Sequence, residues 1–146
     1  MYAHFVHTST ATFDDQEPPL SHWLAKLAST ALGDHFLVVR GEGTVLGYAY
    51  SGEYRPRPAY RLTREASVYV SPEMSGLGLG TRLYGDLLHL LRQDQIHLVV
   101  AVVSQPNPAS NALHRAMGFS EAGTLDEVGF KFGAYVSTTS FQLRLG

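Results

Sequence analysis

Apolar positions recur at two different spacings along this chain, and the changes of spacing mark out its elements. Across residues 81–93, Leu83, Tyr84, Leu87, Leu88, Leu90 and Leu91 return at steps of three and four, the stripe of an amphipathic helix. Trp23, Leu24, Leu27, Ala28 and Ala31 do the same between Ser21, a suitable N-cap, and Gly33, which can end a helix. A helix is therefore expected from Ser21 through about Leu32. A third, short helix is expected from Asn107 or Pro108 to Met117, closed by Gly118. Elsewhere β-branched and aromatic residues run together. Residues 35–40 and 44–50, joined by Gly41-Glu42-Gly43, predict a hairpin. Residues 66–71 predict a further strand, and 119–126 and 138–145 two closing ones. Residues 98–103 are apolar without a break, which predicts a strand buried on both faces. Residues 2–8 are short and mixed, 11–13 look extended, and 55–60 form a proline-containing loop. Antiparallel strands come first, then strand–helix–strand–helix–strand, which makes this a mixed α/β (α+β) fold.

Between the strand at 66–71 and the long helix lies Ser75-Gly76-Leu77-Gly78-Leu79-Gly80-Thr81. A strand, a glycine turn and a helix start aim free N–H groups and the positive dipole end at one point, which suits a phosphate. Glycine lets an anion approach the backbone and adopts positive φ cheaply. A Walker loop is excluded because no Lys-Ser/Thr pair follows the last glycine. A dinucleotide fold fits poorly: the glycines step by two, and the next strand ends in Ser104 rather than an acid. On the loop alone, a tight turn without a ligand remains the other reading.

Composition narrows the classes further. At 146 residues, with 45% hydrophobic and 16% charged residues, the chain is expected to be one domain, 1–146, with a real core. A net charge of −2 gives no sign of a nucleic-acid partner. The absence of cysteine removes disulfides, a thiolate nucleophile and thiolate metal sites, and it fits a reducing cytoplasm. No apolar run is long enough to span a membrane, and no basic-then-apolar leader opens the sequence. The histidines form no metal-like set with acidic neighbours; His4-x-x-His7 alone is weak, so no metal is expected. Arg55, Arg61 and Arg64 read as solvated loop charges.

Taken in order, these pieces resemble the GNAT superfamily of acetyl-CoA-dependent N-acetyltransferases. Within it the chain resembles the phosphinothricin / methionine sulfoximine acetyltransferase subfamily. The matching pieces are Thr10 to Phe13, Tyr54 to Tyr60, Glu65 to Val70, the glycine turn, Val100 to Val103, Pro106-Asn107 and His114 to Phe119. The resemblance implies a mostly antiparallel central sheet with one splayed strand pair and flanking helices. The family has a first strand and the start of a helix ahead of Tyr2, so the sheet is expected to lack its first strand, which leaves an exposed sheet edge. The turn usually opens on Gln or Arg; Ser75 stands there, and weaker rather than absent cofactor binding is expected.

The resemblance also assigns roles. Acetyl transfer needs a neutral amine, so a carboxylate must take the ammonium proton. Glu65 falls at the family's catalytic glutamate, and partial desolvation would raise its pKa usefully. His114 falls where many members carry a tyrosine acid, and is expected to donate to the departing thiolate or to the oxyanion. Backbone groups of Val68, Tyr69 and Val70 would bond the pantetheine arm as a strand pairs with a peptide. Ser75, Gly76, Leu77, Gly78, Leu79, Gly80 and Thr81 would hold the pyrophosphate, and Asn107 and Ser110 the far part of the arm. Arg57 would meet a substrate carboxylate, with Phe13 and Tyr60 beside it. The implied activity is transfer of acetyl from acetyl-CoA to the primary amine of a small amino acid analogue, in a cytoplasmic homodimer. Two rivals stand beside it: acetylation of a protein N-terminus, lysine or polyamine, and a non-catalytic acetyl-CoA-binding module. The arginine-rich stretch argues against polyamines. Glu65 with His114 argues for catalysis.

Overall fold

A computed structural model describes residues 1–146. In chain order it contains α1 (Tyr2–Thr8), α2 (Leu20–Ala28), β1 (His35–Gly41), β2 (Thr44–Glu53), β3 (Thr63–Val70), α3 (Leu79–Gln93), β4 (Leu98–Ser104), α4 (Pro108–Ala116), β5 (Ser120–Lys131) and β6 (Ala134–Arg144). Short 3₁₀ turns at Pro58–Tyr60 and Pro72–Met74 flank β3. The six strands form one sheet in the order β1-β2-β3-β4-β6-β5. Every neighbouring pair is antiparallel except β3 and β4, which run parallel.

The predicted helical stripe is the heart of the core. Leu83, Tyr84, Leu87, Leu88 and Leu91 of α3 are buried, and α3 lies against β1, β2 and β3. Facing them, Ala49, Ala66, Val99, Ala101 and Phe141 close the sheet side of the same cluster. Alternating sheet positions and a helical stripe thus seal one apolar layer, the main driving force for a chain of this size.

Several expectations need correction. Residues 2–8 form a helix, which carries too few turns to show a period in the sequence. Residues 11–13 are irregular rather than extended. α2 starts on Leu20 after Pro19, not after Ser21, and ends at Ala28 well before Leu32. β4 is not buried on both faces. Val99, Ala101 and Val103 are buried on one face, while Leu98 and Val100 on the other are only partly covered and Val102 is 48% exposed, so the two faces are packed unequally. The last two strands are one long hairpin, closed by Phe132 and Gly133, both with positive φ, a two-residue turn of the primed type. β5 is exposed over nearly its whole length, so no alternation of burial announced its second half. Arg64 is not a solvated loop charge: it is 7% exposed, its guanidinium donates to the Leu32 carbonyl, and it lies 3.5 Å from Asp34.

Candidate active site

β3 and β4 stay together for only three residue pairs, Thr63 with Leu98, Arg64 with Val99 and Glu65 with Val100. From Ala66 onward β3 remains paired to β2, but its other edge has no partner strand. The strands therefore part, and the gap opens a cleft of about 610 Å³. Val68, Tyr69 and Val70 form one wall. The glycine turn with the start of α3 forms the floor, and α4 the other wall. A bare strand edge is a row of unpaired N–H and C=O groups, which an extended, amide-bearing chain can complete.

At the floor, Gly76 and Gly78 have φ of +78° and +81°, and a Cβ built on either meets nothing within 4 Å. Their freedom is needed for the conformation, and the space above them is open cleft. The backbone ladder of α3 starts with Arg82 N–H on the Gly78 carbonyl at 3.1 Å, and Gly78 provides no side-chain cap. The N–H groups of Gly76, Leu77, Gly78, Leu79, Gly80 and Thr81 donate to no backbone carbonyl. Free donors at a helix N-terminus next to an open hollow fit a pyrophosphate. Ser75, Gly76, Gly78, Leu79, Gly80 and Thr81 line the cleft; the Leu77 side chain is exposed and does not. Asn107 and Ser110 line it too. The Asn107 side chain also accepts from the Ser110 N–H at 3.1 Å, so it caps α4 while facing the cleft.

His114 lines the cleft as well but is held as a core residue. It is 6% exposed, stacked on Phe141 at 5.1 Å and edge-on to Tyr84 and Phe119 at 5.2 Å each. Its Nδ1 lies 2.7 Å from the Ser110 carbonyl oxygen, which can only accept. Nδ1 therefore carries the hydrogen, and the neutral ring keeps a lone pair on Nε2. Burial pushes its pKa below the usual histidine value, and the Ser110 bond opposes this only in part. Donation from Nε2 thus requires a second proton that the surroundings disfavour.

A second hollow, of about 290 Å³, shares Ala11, Ser67, Tyr69, Val102 and Ser104 with the cleft, so the two meet where the strands part. Glu65 lines this hollow. It is half-buried, and burial raises its pKa above the usual carboxylate range, with Lys26 and Arg55 pulling it back. Phe13 stands at the rim, 43% exposed. A Cβ at Gly129 would come within 2.4 Å of its ring, so only glycine lets it settle there. Arg57, just before the 58–60 turn, and Tyr60, at its end, are exposed and line neither hollow; Tyr60 instead meets Tyr54 edge-on at 5.5 Å.

The hollow has members that sequence reasoning missed. Tyr2 donates to Asp14 at 2.6 Å and shares a 2.6 Å hydrogen bond with Thr12. Burial and then the Asp14 bond push the Tyr2 hydroxyl up to about 12. Ser104 donates to the Thr10 carbonyl, and Lys131 Nζ donates to the carbonyls of Ser9 and Thr12 at 2.7 Å each. These bonds fix the 9–14 segment as one side of the hollow. Lys26, from α2, lies with its Nζ 4.3 Å over the Tyr50 ring. None of these contacts has a local sequence signal, because each joins residues distant along the chain.

Comparison with known proteins agrees with this geometry. Residues 1–119 match the model of the acetyltransferase (GNAT) family. The chain is 42% identical to a phosphinothricin N-acetyltransferase of Alcaligenes faecalis, over 97% of this chain and 73% of that one. It is 35% identical to an L-methionine sulfoximine/L-methionine sulfone acetyltransferase of Pseudomonas aeruginosa, over 99% of this chain and 86% of that one. Among solved structures, an acetyltransferase of Salmonella typhimurium, yncA, determined with its cofactor acetyl-CoA, superposes with a TM-score of 0.93. That pair is 36% identical, over 99% of this chain and 84% of the other. A family pattern across four-fifths of the sequence, with relatives matched along almost all of it, leaves one assignment: the chain belongs to the GNAT acetyltransferase family.

Proposed function

We propose that this chain moves the acetyl group of acetyl-CoA onto the primary amine of a small amino acid analogue of the phosphinothricin, methionine sulfoximine or methionine sulfone type. The observation that carries the reading is the meeting of two hollows at the β3/β4 gap. One is floored by free N–H donors; the other holds a single half-buried carboxylate, Glu65. Acetyl-CoA, when bound, supplies an acyl thioester. The chain's own residues do the rest. The turn from Gly76 to Thr81 holds the pyrophosphate, and the bare edge of β3 from Val68 to Val70 aligns the arm. Glu65 removes the proton from the incoming ammonium at its carboxylate oxygen, so that the amine arrives neutral. Its raised pKa strengthens it as a base. His114, neutral and hydrogen-bonded through Nδ1, forms the α4 wall and offers Nε2 as an acceptor. Phe13 shapes the rim of the amine hollow. The names of the similar proteins support the substrate class. The proposed compartment is the cytoplasm, and the proposed assembly a homodimer, for which an exposed apolar hairpin is the support.

The test is release of free thiol from acetyl-CoA against methionine sulfoximine, methionine sulfone, phosphinothricin, a polyamine and a lysine peptide. Turnover confined to the first three is the expected result. Turnover of the polyamine or peptide alone overturns the substrate class, and silence with acetyl-CoA still bound overturns catalysis.

A further inference from the structure

The amine hollow contains a carboxylate and an ammonium that feel each other's charge but form no ion pair. Glu65 is one; its pKa is set by burial and by nearby cations, with no hydrogen bond among the causes. Lys26 is the other. The four ion pairs of the chain are His7 with Glu17, His35 with Asp94, Arg64 with Asp34 and Arg115 with Glu121, so Lys26 belongs to none. Its Nζ rests 4.3 Å over the Tyr50 ring, in the same hollow as Glu65. It is half-buried on a helix whose neighbouring positions are mostly exposed. The hollow's remaining carboxylate, Asp14, is engaged by the Tyr2 hydroxyl at 2.6 Å, and His22 and Tyr69 complete its titratable lining. An amino acid brings an ammonium and a carboxylate a few ångströms apart, the complement of a held-apart carboxylate and ammonium. Arg57, the other basic candidate, lies outside this lining.

We infer that Lys26 receives the carboxylate of the acceptor, and so selects α-amino acids over amines that lack an acidic group. The inference rests on the proposed reaction. The aromatic face beneath Nζ holds the ammonium in place without consuming its hydrogen-bond donors, which stay free for a carboxylate.

A two-way comparison tests it: parent chain and Lys26→Met, each with methionine sulfoximine and with the amine that lacks its carboxylate. Methionine keeps the apolar stem on Tyr50. Removing Lys26 is expected to raise KM for the amino acid about tenfold or more, with acetyl-CoA affinity little changed and kcat little changed on the alkaline plateau, where Glu65 is ionised in both chains; the acid limb itself should move up, because Lys26 no longer lowers the Glu65 pKa. Removing the substrate's carboxylate should cost the parent a similar factor, and doing both should add little. Lys26→Arg should recover part of the loss. Fully additive losses overturn the inference, as does an equal loss of kcat with both substrates, which would mean that Lys26 acts only on Glu65. If the parent transfers acetyl to no amino acid, the proposed function fails first and this inference with it.

Discussion

At the residue scale, Glu65 is where stability and activity conflict. Glu65→Gln is expected to lower kcat by about 100-fold or more, the usual scale of a lost general base, while acetyl-CoA affinity holds. In the parent, kcat/KM for the amine should fall on acidification with a limb above the ordinary carboxylate range, since burial raises the pKa; the variant should lack that limb. The same shift predicts an opposite effect on folding. A folded-state pKa above the unfolded value means that the native state binds the proton more tightly. Stability is then lost as pH rises from the unfolded value through the folded one. Gln never ionises, so the variant should melt higher than the parent near neutral pH, and the gap should close in acid. Thermal melts across pH would show this, and a variant that melts lower at neutral pH would refute a desolvated Glu65. Glu65 was singled out by the resemblance to a family motif, and nothing in the strand pattern marked it; the structure puts it third in β3, half-buried in the second hollow. The burial of the neighbouring Arg64 was not legible: it depends on Asp34 and the Leu32 carbonyl, some thirty residues earlier.

At the scale of elements, the unit proposed to hold acetyl-CoA is strand, turn and helix, and its shape was legible because both its flanks carry recognisable patterns. The long helix announced itself by leucines at three and four, and the turn by glycines that two positive φ values now explain. A valine at Gly78 would be strained at φ +81° and would stand in the space above the turn. Gly78→Val is therefore expected to weaken acetyl-CoA binding by about tenfold or more, the worth of a single lost charge-assisted hydrogen bond. Calorimetric titration of a variant with native circular dichroism would check it; unchanged affinity would remove the turn as phosphate site. What the pattern could not show is what happens beside the unit. The run that reads as doubly buried is packed on the face of Val99, Ala101 and Val103 and less covered on that of Leu98, Val100 and Val102, and β3 leaves β4 after Glu65; hydrophobicity records neither what packs on each face nor whether a neighbouring strand stays alongside. His114 shows a related gap. Its place in a motif was visible, but the Ser110 carbonyl that fixes its tautomer is a three-dimensional fact.

At the scale of the whole molecule, the long hairpin joins the candidate site to an exposed apolar surface. Leu125, Val128, Phe130, Phe132 and Tyr135 are each more than half exposed, five large apolar side chains on one hairpin. Such a concentration is what the proposed homodimer would cover. Lys131, between Phe130 and Phe132, holds the carbonyls of Ser9 and Thr12, and Gly129 seats the Phe13 ring. Both of those contacts fix the side of the amine hollow, and neither touches the pyrophosphate floor. If a second copy covers the hairpin, losing it should loosen the amine hollow and spare the cofactor cleft. The variant Phe130→Asp/Tyr135→Asp is expected to sediment as a monomer where the parent sediments as a dimer. It should show a raised KM for the amine, with acetyl-CoA affinity unchanged. The split between the two ligands is the decisive reading, because a general loss of folding would weaken both. A parent chain that sediments as a monomer would instead leave the apolar hairpin free for a different protein, and the amine hollow would then have to be complete in one copy.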